Sequence, residues 1–182
     1  MKKQTKHDSM TRGILGKPLQ VINQLVAENL LLNYAIGGGV AALYYTEPVL
    51  TYDFDIICRF PSQGDLIDPS PVYNKLKKLG YNFGVEDRVM VEGVPLQFIP
   101  ASRGLMEEAL DNALSVTICG VNTRILRVEY LAAIMLNLYR PKDRAKLDLI
   151  VNNKSVPFDH GLFKNILKRY DLNEKWKRFN EG

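Results

Sequence analysis

Two aspartates one residue apart, Asp53 and Asp55 in the stretch TYDFDI, are the residues best placed to do chemistry. In an extended strand, side chains two apart share a face and stand about 7 Å from each other along the chain. Two carboxylates at that distance repel by roughly 2–3 kcal/mol at an effective dielectric near 20. A divalent cation relieves that cost, and hard oxygen donors select Mg²⁺ or Mn²⁺, which also bind substrate phosphates. Upstream, Gly37-Gly38-Gly39 follows a short apolar lead. Without Cβ atoms the backbone there can approach a ligand closely, and a helix starting at that point adds its positive end, which makes an anion site. The run does not follow G-x-G-x-x-G, and no P-loop lysine comes after it, so it is neither a dinucleotide fingerprint nor a Walker loop. Phosphate at the glycines and a cation at the acids together point to chemistry on a nucleoside triphosphate. Further on, Arg140, Lys142 and Arg144 form a local positive group.

The elements that must position these residues read as a mixed set. Pro18 opens a helix with Leu19, Ile22, Leu25, Val26 and Leu30 on one face. Tyr34-Ala35-Ile36 is a short strand ending at the glycines, and residues 40–45 form a helix stopped near Pro48. Residues 52–60 alternate as a strand, placing Phe54 and Ile56 in the core and the two aspartates outward. A helix capped by Asp68 or Ser70 ends at Gly80. A hairpin turns at Gly93, a helix covers 103–113, and a second hairpin turns at Gly120. Helices fill the remainder: 128–139, 142–151, 161–170 and 173–179. The class is therefore α+β. Residues 1–17 read as a disordered basic tail, 18–126 as the α/β core, and 127–182 as a helical C-terminal part packed on it.

G-G-G-x-A at residues 37–41 followed by T-x-D-x-D at 51–55 resembles the nucleotidyltransferase superfamily that includes DNA polymerase beta. The likeness is closest to small bacterial members related to abortive-infection nucleotidyltransferase toxins and to antibiotic nucleotidyltransferases. It continues through Val94–Pro100, through Glu129-Tyr130-Leu131, and into Arg140–Arg144. The resemblance implies a nucleotidyltransferase-like mixed sheet flanked by helices, with a C-terminal helical extension. It implies Gly37, Gly38, Gly39, Thr51 and Arg140 around an NTP, and Asp53 and Asp55 on Mg²⁺ or Mn²⁺. Lys142 would lie against the triphosphate or the acceptor, where it offsets charge on departing pyrophosphate. The acceptor would be a hydroxyl of tRNA, a partner protein or a small molecule, in a toxin–antitoxin or abortive-infection setting. The chain departs from the pattern at Val49, where many relatives carry arginine, and at Gln97, where the third metal carboxylate is usual. An amide oxygen can ligate a cation but does not usefully take a proton from an attacking hydroxyl. Asp143, Asp65 and Asp87 are candidate substitutes; Glu92, beside a hairpin turn, is expected to lie too far away. The departure at Gln97 keeps a second reading open: a catalytically silent NTP-binding or partner-binding module.

Composition bounds these readings. A chain of 182 residues, 46% apolar and 24% charged, suits one globular domain. No apolar run reaches the roughly 20 residues of a membrane span. The N-terminal segment lacks the apolar stretch of a signal peptide. Cys58 and Cys119 are too few for a disulfide framework or zinc site, so the expected setting is the reducing cytoplasm. Five bases and one acid occupy residues 1–17, and seven bases and four acids occupy 154–182, leaving the centre net acidic. Such flanks either attract nucleic acid or phosphate, or are simply solvated. His7 in the tail and His160 in a loop are not expected to act as bases.

Overall fold

The computed structural model describes residues 6–46, 54–63, 66–84 and 88–181. The first helix, α1 (Lys6–Ala27), is longer than the sequence suggests: residues 6–17, read as a disordered tail, continue the helix upstream of Pro18. Proline deletes one backbone bond and crowds the preceding turn. Packing of Leu15 against the core and the approach of Gly16 to Cys119 hold this extension in place.

The chain then runs β1 (Asn33–Ile36), α2 (Gly38–Tyr45) and β2 (Phe54–Arg59). Two short strands, β3 (Ser62–Gln63) and β4 (Leu66–Ile67), pair only with each other. After α3 (Ser70–Lys78) come β5 (Asn82–Phe83), β6 (Val89–Val91), β7 (Val94–Pro100), α4 (Leu105–Asp111), β8 (Leu114–Ile118) and β9 (Val121–Ile125). Four helices end the fold: α5 (Val128–Leu138), α6 (Pro141–Val151), α7 (His160–Arg169) and α8 (Asn173–Glu181). Seven strands form one mixed sheet in the order β5-β6-β7-β2-β1-β9-β8, with β2–β7 and β1–β9 parallel and the other neighbours antiparallel. The α+β architecture, a mixed sheet flanked by helices, is as the sequence predicts.

Strand alternation sorts the two faces. Ile56 of β2, Phe98 of β7 and Tyr34 of β1 share one face through the ladder registers. That face meets α1, where the Tyr34 hydroxyl donates to Asn23 Oδ1 at 2.6 Å, and α3, where Tyr73 packs edge-on to Phe98. Asp55, Ile57 and Arg59 point to the other face, where Arg59 pairs with Glu107 and Asp111 of α4. Ile57 is as buried as Ile56, so helices cover the acid-bearing face as well. The sequence had assigned only Phe54 and Ile56 to the core, because a strand of strict alternation predicts one wet face.

The helical layer is tied down by carboxylates. Glu129, 2% exposed, starts α5 and accepts from the Asp159 backbone N–H at 2.8 Å and from Arg127 Nε at 3.2 Å. Asp159 in turn caps α7 by accepting from Leu162 N–H. Glu108 of α4 accepts from the hydroxyls of Tyr130 and Tyr170 and from the Arg169 guanidinium. These contacts pin α7 against α4 and α5. At the end of the chain, Trp176 stacks on Phe179 and meets Phe163 edge-on.

Candidate active site

The glycine bend forms because β1 must give way to α2 directly beside β2. Gly37 N–H donates to the Asp55 carbonyl at 2.9 Å, closing the last rung of the β1–β2 ladder. Gly38 then takes φ +54°, the left-handed region that L side chains disfavour. A Cβ on Gly38 would lie 1.7 Å from Asp55 Oδ2 and 2.6 Å from its Cγ. The Asp55 carboxylate therefore occupies the space that any other residue at 38 would fill. The bare backbone and the acid are fitted to one another. Gly37 is similarly constrained: its Cβ would sit 3.1 Å from Ile57 Cγ1 and 3.5 Å from Leu126 Cδ1. Gly39 is buried in the first turn of α2.

Gln97 completes the cluster. It is the direct register partner of Asp55 on the parallel strand β7, and parallel partners project to the same face. Both side chains are partly exposed, whereas their neighbours Phe54, Ile56, Leu96 and Phe98 are buried. The amide thus stands beside the aspartate, at the place where the resemblance expects a carboxylate. Thr51 and Asp53, with Val49, Asp65 and Asp87, lie outside the described residues.

The positive group divides. Arg140 ends the turn before α6 and binds Asp143 through Nε at 2.5 Å and Nη2 at 3.3 Å. Asp143 is 4% exposed and its N–H donates back to the Arg140 carbonyl. It serves the first turn of α6, and that ion pair, rather than a role as substitute acid, accounts for its position. Arg144 lies over the Tyr139 ring at 5.1 Å. Lys142 is exposed in the first turn of α6, a helix that packs on α2 and α5. Glu92 sits at φ +51° in the turn before β7.

Other titratable groups are set aside by their surroundings. Burial pushes the Cys58 thiol up to about 12, against a weak bond to the Ile99 carbonyl, so it is neither a ready nucleophile nor a metal ligand. Burial also raises Tyr45, whose hydroxyl donates to the Leu126 carbonyl and fastens the end of α2 to the segment before α5. His160, expected in a loop, is the first residue of α7 and rests edge-on to Phe158.

No family model matches the chain, and no curated protein matches it. Solved structures do. The solution structure of the antibiotic-resistance factor ANT(2'')-Ia aligns with a TM-score of 0.51 at 17% identity, covering 94% of this chain and 98% of that one. A nucleotidyltransferase-like antigenic protein from Paracoccidioides brasiliensis aligns with a TM-score of 0.53 at 17% identity, covering 91% and 93%. The fold is that of nucleotidyltransferases.

Within this nucleotidyltransferase fold the cluster can be tested for a cation. Asp55 and Gln97 offer hard oxygens on one face, beside a cradle that a Cβ would fill. Such donors suit Mg²⁺, which often takes only one or two protein carboxylates and completes its shell with water and phosphate. Among the described residues no group of three or more His, Cys, Asp or Glu stands ready to hold a metal. The donor set fits a lightly ligated Mg²⁺ or Mn²⁺ and does not fit a closed site such as structural zinc. No helix among the described residues is long and apolar enough to cross a membrane.

Proposed function

We propose that the chain transfers a nucleoside monophosphate from an NTP to a hydroxyl acceptor, releasing pyrophosphate. The observation that carries this reading is the Asp55 carboxylate seated against Gly38 at the end of β1. In this reading the N–H groups of the bend and the start of α2 hold the triphosphate, since helix starts bind anions. Asp55 and Gln97, with Asp53, would hold Mg²⁺ or Mn²⁺, which when bound supplies charge neutralisation at the phosphates. Lys142 would offset the charge on departing pyrophosphate. Thr51 would support the bend. Arg140, bound to Asp143, would act on the nucleotide only indirectly, by setting the first turn of α6 that carries Lys142. The acceptor would be tRNA, a partner protein or a small molecule, in the cytoplasm, as part of a toxin–antitoxin or abortive-infection system.

The test is Mg²⁺-dependent pyrophosphate release from each of the four NTPs, with tRNA, a cell extract and small hydroxyl compounds as acceptors. Release that requires both metal and one acceptor class is the expected result. Gln97 supports a second reading, a silent nucleotide-binding module, because its amide cannot serve as a base. NTP binding with no release from any acceptor would decide for that reading.

A further inference from the structure

The two ends of the sheet are finished differently. At one end β5 has two residues, and Glu86, Asp87 and Arg88 follow it in the chain. A short strand with charges nearby blunts an edge against other chains. At the other end β8 runs five residues, Leu114–Ile118, and among the described residues it pairs only with β9. Residues 112–123 contain no charge and no proline. The β8–β9 register is unbroken, so no bulge twists this edge away. β8 is an unguarded edge.

The hairpin geometry says which backbone groups face outward. Ile118 and Val121 flank a two-residue turn in which Cys119 and Gly120 both have positive φ. The pair flanking such a turn exchanges hydrogen bonds, and the pattern alternates along the strands. Leu114 and Val116 therefore bond to β9, whereas Ser115 and Thr117 turn their N–H and C=O groups away from it. Asn122, opposite Thr117, shows the same alternation: its carbonyl points away from β8 and accepts from Asn23 Nδ2 at 2.8 Å. Just before the strand the outward groups are already committed. Ala113 gives its N–H to the Leu110 carbonyl, and its own carbonyl accepts from Arg124 Nη2.

We propose that two copies of the chain join antiparallel through β8, with Val116 of each copy on the two-fold axis. This register sets Ser115 opposite Thr117 of the second copy, so each gives its N–H and its C=O to the other. Sliding one copy by two residues would instead set Thr117 against Ala113, whose groups are taken. A two-fold interface must be self-complementary, and this one is. On the face that carries Thr123 and α1, Leu114 meets Ile118 and Val116 meets Val116. On the opposite face the Ser115 hydroxyl meets the Thr117 hydroxyl. Pairs of both kinds are favourable across strands. Leu114, 43% exposed in the single chain, gains an apolar neighbour. The chain carries a net charge of +4, and this neutral edge lets two copies meet with no like charges facing. Asp55 lies three strands inward, away from the contact. A single strand pair is a small interface, so association is weak, in the micromolar range.

Sedimentation velocity and amide hydrogen exchange on the full chain, across the micromolar range, test this. The mass is expected to rise with concentration from 20.7 kDa towards twice that value. In concentrated samples the Ser115 and Thr117 amides gain protection that dilution removes, while those of Val116 and Ile118 stay protected throughout. Ser115→Pro deletes an outward N–H and leaves the β9 ladder whole, as an edge position allows. It is expected to weaken association on the order of a hundredfold, the worth of the two hydrogen bonds lost. Ser115→Lys serves if the proline variant fails to fold, and its like charges beside the axis are expected to give monomer at every concentration. A natural chain that stays monomeric throughout overturns the proposal, even if its β8 takes up an extended peptide instead. So does a dimer that these variants leave intact, or one that forms without protecting Ser115 and Thr117.

Discussion

One acid of the sheet and three acids of the helices show different constraints on their placement. Glu108, Glu129 and Asp143 are fixed by donors: Tyr130, Tyr170 and Arg169 on Glu108, Arg127 and the Asp159 N–H on Glu129, and Arg140 on Asp143. Asp55 is fixed by a space left clear, the missing side chain of Gly38, and by the register that brings Gln97 alongside. Glu108 and Glu129 join neighbouring helices, and Asp143 fixes the first turn of α6. In the proposed reading, the carboxylate set over bare backbone meets the ligand's phosphate and cation. On that reading Glu108, Glu129 and Asp143 are structural acids, and Asp55 is the one that meets the nucleotide.

Substitutions sharpen that contrast. Asp55→Asn keeps the shape and loses the charge; pyrophosphate release is expected to fall about 10³-fold, with unfolding free energy changed by less than about 1 kcal/mol. Equal activity in the two proteins would remove Asp55 from the site. Gly38→Ala must push the Asp55 carboxylate aside and strain a positive φ, so about a 10²-fold loss of release accompanies a stability loss of roughly 1–3 kcal/mol. Glu129→Ala is expected to do the reverse. It strips partners from Arg127 and the Asp159 N–H, costing about 3 kcal/mol in urea unfolding, while the folded protein retains nucleotide binding. Gln97→Glu restores a third carboxylate beside Asp55, and calorimetry is expected to show Mn²⁺ binding tightened about tenfold.

The smallest effect is in pH. Burial would raise Glu108, but the hydroxyls of Tyr170 and Tyr130 and the charge of Arg169 outweigh it and hold the carboxyl below its ordinary 4.5. A depressed folded value means that this stabilisation is present above pH 4.5 and is lost as pH falls through the folded value. Burial, and then the hydrogen bond to Glu108, push Tyr130 and Tyr170 up to about 12 from 10.0. Their contribution is present below pH 10 and lost between 10 and 12. Urea midpoints followed across both ranges are expected to fall at each end, and Glu108→Gln to flatten both slopes.

Much of the fold was legible locally. Both hairpins turn at Gly93 and Gly120, which carry positive φ, and the four C-terminal helices begin and end within a few residues of their sequence signals. The start of α1 was not legible, because tertiary contacts at Leu15 and Gly16 overrode the breaking tendency of Pro18. The cover over Ile57 was likewise hidden, since alternation along one strand cannot report helices that arrive from the far end of the chain.

The sequence by itself determined the ingredients: glycines where the backbone must bend, carboxylates two apart, and apolar periodicities that choose helix or strand. Those are local properties, set by sterics and side-chain chemistry within a few residues. Only the tertiary structure decided that Gln97 stands beside Asp55, that Asp143 belongs to Arg140, and that β8 ends the sheet. Each depends on strand pairing or helix packing, where the balance of contacts across the whole core makes the choice.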